Sequence, residues 1–168
     1  MRRYVLPMLL LVAVLVGAQT ATKKSAPATK KAPATETKHA YTPNDVQWGP
    51  PPPFVPPGAQ LAVLEGNPMG TSGDYTVRVK APDGYVIGPH FHPKRENVTI
   101  ISGTLKLGMG DKFDEGSMKP LPAGSFGYLD PSMHHFVKTQ GETVVQIHGA
   151  APLAFTYVNK SDDPRNKK

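Results

Sequence analysis

The stretch GYVIGPHFHPKRENVTIISG, Gly84 to Gly103, carries the reading of this chain. Along an extended strand, residues two apart share a face, so His90 and His92 project to one side of a sheet while Phe91 faces the other. Pro93-Lys94-Arg95 then turns the chain and can return the carboxylate of Glu96 to the two imidazoles. Two imidazoles and one oxygen ligand, without sulfur, suit a single divalent iron, manganese, nickel, copper, cobalt or zinc ion.

Outward from this stretch the texture stays that of short strands. Leu61–Leu64, Tyr75–Val79, Tyr85–Ile87, Val98–Ile101, Leu105–Met109, Phe126–Leu129, Phe136–Lys138, Val144–Ile147 and Phe155–Val158 are apolar or alternating runs. Between them stand turn signals: Gly66-Asn67-Pro68, Pro82-Asp83-Gly84, Ser102-Gly103, Gly110-Asp111, Pro122-Ala123-Gly124 and Gln140-Gly141. No convincing helical period follows residue 20. The expected fold is therefore all-β, a single-domain antiparallel β-barrel or jelly roll over residues 58–165, in which closure removes exposed strand edges.

The spacing of the central stretch is glycine, five residues, His-x-His, three residues, glutamate, six residues, glycine, and it resembles the first motif of the cupin superfamily at each defined position. At this chain's own composition, five fixed residues so spaced arise by chance in fewer than about one chain in ten thousand. Gly116 and Pro122-Ala123-Gly124 match the first half of the family's second motif, which should supply a third histidine. PSMHHF then offers His134 and His135. Looser cupin families place a proline, a few small residues, then histidine and an aromatic, which aligns His135 with the ligand and Phe136 with the aromatic. Adjacent strand residues face opposite ways, so one of the pair enters the site, and His135 is favoured over His134. The resemblance covers about two-thirds of the chain. It implies a barrel of six or more strands holding one metal on His90, His92, Glu96 and His135, with a mouth open to a small molecule.

Other residues have ordinary roles to fill. Gly84, Gly103 and Gly124 read as turn glycines. His148 shares strand parity with Val144 and Gln146 and is a candidate for the pocket lining or for wall packing, and Tyr128 and Asp130 are candidates for shaping the cavity.

The chain's ends differ from its centre. MRRYVLPMLLLVAVLVGAQT has two arginines, a twelve-residue apolar run from Val5 to Val16, then Gly17 and Ala18, the layout of an export signal cleaved after Ala18. The run falls short of the ~20 residues that span a bilayer, so no transmembrane span is expected in the mature chain. The expected location is periplasmic or secreted. Residues 19–40 are rich in lysine, alanine, proline and threonine and read as a disordered tether. Pro50–Pro53 and Pro56-Pro57 make an extended strap that Trp48, Phe54 and Val55 can lay across the domain. Residues 166–168 close a polar tail.

Composition removes several function classes. The absence of cysteine excludes disulfides, thiolate metal sites and cysteine nucleophiles. The net charge of +6 belongs to the N-terminal segments: residues 1–40 hold seven basic and one acidic side chain, residues 41–168 twelve of each. A neutral domain lacks the cationic surface that nucleic acid requires. Four protein ligands would leave about two positions on a six-coordinate metal, so the resemblance implies an oxygenase or other oxidoreductase acting on a small molecule, with Glu96 as the group that moves a proton. An isomerase or lyase, a non-catalytic binder of a sugar or phenolic, and a metal carrier are the alternatives. A homodimer is expected by analogy.

Overall fold

A computed structural model describes residues 40–167, so the stretch read as an export signal, most of the stretch read as a tether, and Lys168 lie outside the described residues. Eight strands follow in order: β1 Gln60–Gly66, β2 Asp74–Ala81, β3 Val86–Phe91, β4 Glu96–Met109, β5 Lys119–Pro122, β6 Phe126–Leu129, β7 His135–Ala150 and β8 Thr156–Tyr157. Three single 3-10 turns are the only helical elements among the described residues, and no helix there is long and apolar enough to cross a membrane. Every strand pairing is antiparallel. The all-β jelly-roll expectation holds.

Two long strands organise the barrel. β7 pairs with β2, β3 and β4, while β4 pairs with β5, β6 and β7. Reading the sequence, Ser102-Gly103 and Gln140-Gly141 look like turns that split each of these strands in two. The structure instead carries both strands through as one ribbon, with register shifts between Ile100 and Ser102 and again between Ser102 and Thr104. Gly103 and Gly141 take φ of 75° and 73°, so glycine here bends a continuous ladder rather than reversing the chain. A Cβ on Gly103 would lie 2.4 Å from the Glu142 carbonyl oxygen, which leaves no room for a larger residue.

β5 has no counterpart in the sequence reading because Lys119-Pro120-Leu121-Pro122 is half proline. It pairs with β4 alone, and an edge strand tolerates proline because half of its N–H groups need no partner.

Alternation sorts the ribbon's two faces. Val77, Val98, Ile100, Val145 and Ile147 point inward and are buried, whereas Arg78, Thr99 and Gln146 on the same strands face outward, Arg78 Nε donating to Gln146 Oε1 at 3.1 Å. The proline strap belongs to this folded unit. Phe54 and Val55 are buried in its core, Gly49 bridges Leu61, and Tyr157 Oη donates to the Phe54 carbonyl at 2.8 Å. Trp48 is half-buried under the ammonium of Lys80, 4.7 Å from its ring centre.

Candidate metal centre

Three strands and one turn bring the polar residues to the barrel's inside. His90 lies near the end of β3 and stands directly opposite His135, the first residue of β7. His92 follows just past β3, and Glu96 opens β4. The relative exposures are 2% for His90, 4% for His92, 6% for Glu96 and 1% for His135, in a chain that otherwise buries only two polar side chains among the described residues. Buried titratable groups in such a cluster need compensating partners.

Those partners fix the imidazoles. Nδ1 of His90 lies 2.8 Å from the Gly88 carbonyl, Nδ1 of His92 3.0 Å from that of Ala154, and Nδ1 of His135 3.0 Å from that of Met133. A carbonyl only accepts, so each Nδ1 carries the proton and each Nε2 keeps its lone pair, the tautomer and orientation that metal-ligating histidines use. The three imidazoles present ligand atoms that all lie within 4.8 Å of one another. Two metal–nitrogen bonds span on the order of 4 Å.

Glu96 completes the group. Its Oε2 is 3.3 Å from Nε2 of His92 and 3.9 Å from Nε2 of His135. Nε2 of His92 makes no hydrogen bond and is the only buried side-chain nitrogen or oxygen among the described residues without one. A lone pair held beside a carboxylate in a dry interior calls for a positive charge between them, as a proton or a metal ion. The protonation tendencies show the same demand. Burial works against a charge on His92, yet the Glu96 carboxylate overrides it and raises the imidazole above its usual 6.5. Burial likewise pushes Glu96 up, but the imidazoles of His92 and His135 hold it below the usual 4.5. His90 is driven well below 6.5 by burial and by its two imidazole neighbours, and His135 is lowered by burial despite Glu96. The donor set, its fixed tautomers and the orphaned nitrogen fit a divalent transition metal.

The neighbours in sequence are turned away. His134 points outward, with Nδ1 2.6 Å from Asp111 Oδ1 and its ring stacked on Phe91 at 4.7 Å. The structure thus brings His135 into the cluster and leaves His134 outside. His148 is exposed on the outer face rather than in the pocket or packed in the wall, because even-numbered residues of that half of β7 face solvent. Of the two residues read as shaping the cavity, Tyr128 borders it at its exposed side while Asp130 does not reach it, and Arg95 lies over the Tyr128 ring at 4.4 Å while bonding Asp130.

Phe155 was not recognisable as a site residue from the sequence. Its ring stacks on His90 at 4.4 Å and meets His92 edge-on at 4.7 Å, and Phe54 of the strap packs behind it at 5.0 Å. The last predicted strand included it, but nothing in its spacing tied it to the histidines. Beside the cluster runs a cavity of about 90 Å³, walled by aliphatic side chains such as Val79, Ile87, Leu105, Val137 and Ile147 and reached by His90, Glu96 and His135.

Comparison with known proteins supplies the family. Residues 36–154 match the family model of the ChrR cupin-like domain. The chain belongs to that cupin family. Similar solved structures include the polyketide cyclase RemF from Streptomyces resistomycificus, at 15% identity over 76% of this chain and 89% of that one, TM-score 0.62. A proposed acetylacetone dioxygenase from Methylibium petroleiphilum is 20% identical over 76% of this chain and 85% of its own, TM-score 0.56. An RmlC-like cupin from Shewanella frigidimarina is 14% identical over 67% and 90%, TM-score 0.51. At these identities the likeness is one of fold. No curated protein matches in sequence. Cupin membership agrees with the motif resemblance, and the three buried imidazoles can hold a metal ion.

Proposed function

We propose that this cupin is a metal-dependent enzyme of the oxygenase or wider oxidoreductase class, acting outside the cytoplasm on a small, mainly apolar molecule. The carrying observation is the convergence of three tautomer-locked imidazoles and one buried carboxylate on an aliphatic cavity. His90, His92, His135 and Glu96 would hold the ion. A divalent transition metal there supplies Lewis acidity and, for a redox-active ion, electron transfer to dioxygen or substrate.

The chain's own residues do the rest. The aliphatic wall excludes bulk water and admits apolar groups, and the cavity's volume of about 90 Å³ is smaller than the ~150 Å³ apolar cavity that binds benzene, which suits a small buried group. Glu96 is the only carboxylate lining the cavity, which makes its oxygens the acceptor for a substrate proton. Apart from Glu96, the imidazoles, Tyr85 and Tyr128 the wall offers no acid–base group, so a bound ion would supply the electrophilic or redox part of the chemistry. The apolar run of residues 5–16 supports the extracytoplasmic setting.

One observation favours a second reading. All four candidate ligands are at most 6% exposed, which suits a metal-stabilised binding module as well as a catalyst. Elemental analysis of the full chain beside His92→Ala, with oxygen uptake on catechols, thiols and diketones, separates the two. About one metal per chain, lost in the variant, with uptake on one compound class supports the enzyme. Metal and bound compound without turnover favours the binder, and a wild-type chain free of metal sinks both.

A further inference from the structure

We infer that Arg95 and Asp130 are positioning residues of the metal centre, an external clamp that joins the two loops on which its ligands sit. The inference rests on the metal reading above and adds residues that touch no ligand atom. The β4–β6 ladder ends at the pair Glu96 and Leu129. Arg95 and Asp130 are the next residue on each chain, so their side chains add one rung beyond the last backbone pair. Nε and Nη2 of Arg95 both donate to Asp130 Oδ1, at 2.9 and 2.6 Å, and the guanidinium lies over the exposed ring of Tyr128 at 4.4 Å. Charge-assisted bonds from a stacked, planar fork hold direction as well as distance.

From that rung each loop leads directly to ligands. On one side, Pro93-Lys94-Arg95 is the whole connection between His92 and Glu96. On the other, residues 130–134 connect Asp130 to His135, and they are pinned at three points. Met133 N donates to the Asp130 carbonyl at 3.1 Å, Met133 O receives Nδ1 of His135 at 3.0 Å, and Ser132 N donates to the His92 carbonyl at 2.9 Å. Ser132 sits at φ 63°, a left-handed conformation unfavourable for a residue with a Cβ, which persists only where surroundings over-determine it. The turn that aims His135 is thus strained, short and tied to the opposite loop.

The clamp itself is half exposed, at 53% for Arg95 and 46% for Asp130. Exposed ion pairs contribute little to global stability, so a role in positioning is separable from a role in folding. The clamp acts on metal affinity and coordination geometry through the loops, as outer partners of metal ligands do.

The test is an absorption titration of the full-length, metal-free chain with Co²⁺, beside its thermal unfolding. Arg95→Ala and Asp130→Ala should each weaken Co²⁺ binding about tenfold and alter the visible Co²⁺ bands. The metal-free unfolding midpoint should move by less than about 4 °C. The double variant should be no weaker than either single one, and the swap of Arg95→Asp with Asp130→Arg should recover affinity to within about threefold of wild type. If an alanine variant fails to fold, Asp130→Asn, which keeps the shape and removes the charge, carries the same comparison. Unchanged Co²⁺ affinity and bands in these variants, with binding abolished in His92→Ala, overturn the clamp and leave the metal centre standing. Affinity and midpoint falling together mark a merely structural pair and also overturn it. A wild-type chain that takes no Co²⁺ overturns both readings.

Discussion

Two segments feed the centre in different ways. Residues 90–96 deliver two imidazoles and a carboxylate from seven consecutive positions, whereas residues 130–136 deliver one imidazole out of an adjacent pair. In the first segment, the period of the strand alone places His90 and His92 together, and Phe91 is rejected to the outside. In the second, the same period admits either histidine, and long-range pairing decides: His135 stands opposite both His90 and Met109, which directs His134 outward onto Phe91 and Asp111. The inward residues of one segment meet the inward residue of the other, and the two outward ones stack on each other. A ligand set is therefore partly local and partly a matter of register.

The largest effect that can break this comparison is metal loss. His90→Ala, His92→Ala and His135→Ala should each drop bound metal from about one equivalent to near zero, while His134→Ala keeps it, as elemental analysis of purified chains would read. Metal lost in His134→Ala and kept in His135→Ala would reverse the assignment. Next in size is Phe136→Ala. Phe136 is fully buried against Gly108, so its removal should cost about 3–5 kcal/mol in denaturant unfolding. A cost below 1 kcal/mol would show that the start of β7 is not anchored as described.

A smaller effect is the acid response of the metal-free chain. His90 and His135 have folded pKa values lowered from 6.5, so the unfolded chain binds protons that the folded one does not. Stability should therefore fall as pH drops below about 6.5, by up to about 1.4 kcal/mol per pH unit for each imidazole. His92 runs the other way. Its raised pKa contributes stability that is complete below about 6.5 and lost as pH rises through the folded value. Glu96, being lowered, contributes above about 4.5 and loses that as pH falls through its folded value. Urea titrations from pH 8 to 5 on wild type and on His135→Ala should show a shallower acid loss in the variant, and parallel curves would remove His135 from the account. The smallest effect is the stability of His134→Ala, expected within about 1 kcal/mol of wild type because its contact with Asp111 is a surface pair.

Legibility followed the same division. The barrel was readable because inward and outward residues alternate along most strands, and the first three ligand candidates were readable because a period-2 backbone puts His90 and His92 on a shared face and the short Pro93-Lys94-Arg95 turn returns Glu96 to them. Other features were less accessible for stated reasons. Gly103 and Gly141 signal a turn and a bulge equally well, since both use the same left-handed backbone. β5 was hidden by its two prolines, tolerable only because the strand lies at an edge. Phe155 lies on a segment that is brought to His90 by the pairing of β8 with β3 and by packing against Phe54 of the strap, contacts between residues far apart in the chain.

By itself, then, the sequence determined the all-β class, the local His90, His92 and Glu96 constellation and the neutral charge of the domain. Each of these depends on neighbours along the chain. Only the tertiary structure decided that His135 rather than His134 enters, that Phe155 covers the imidazoles and that Arg95 meets Asp130. Those outcomes are set by strand register and loop closure between residues tens of positions apart, for which no local period carries a signal.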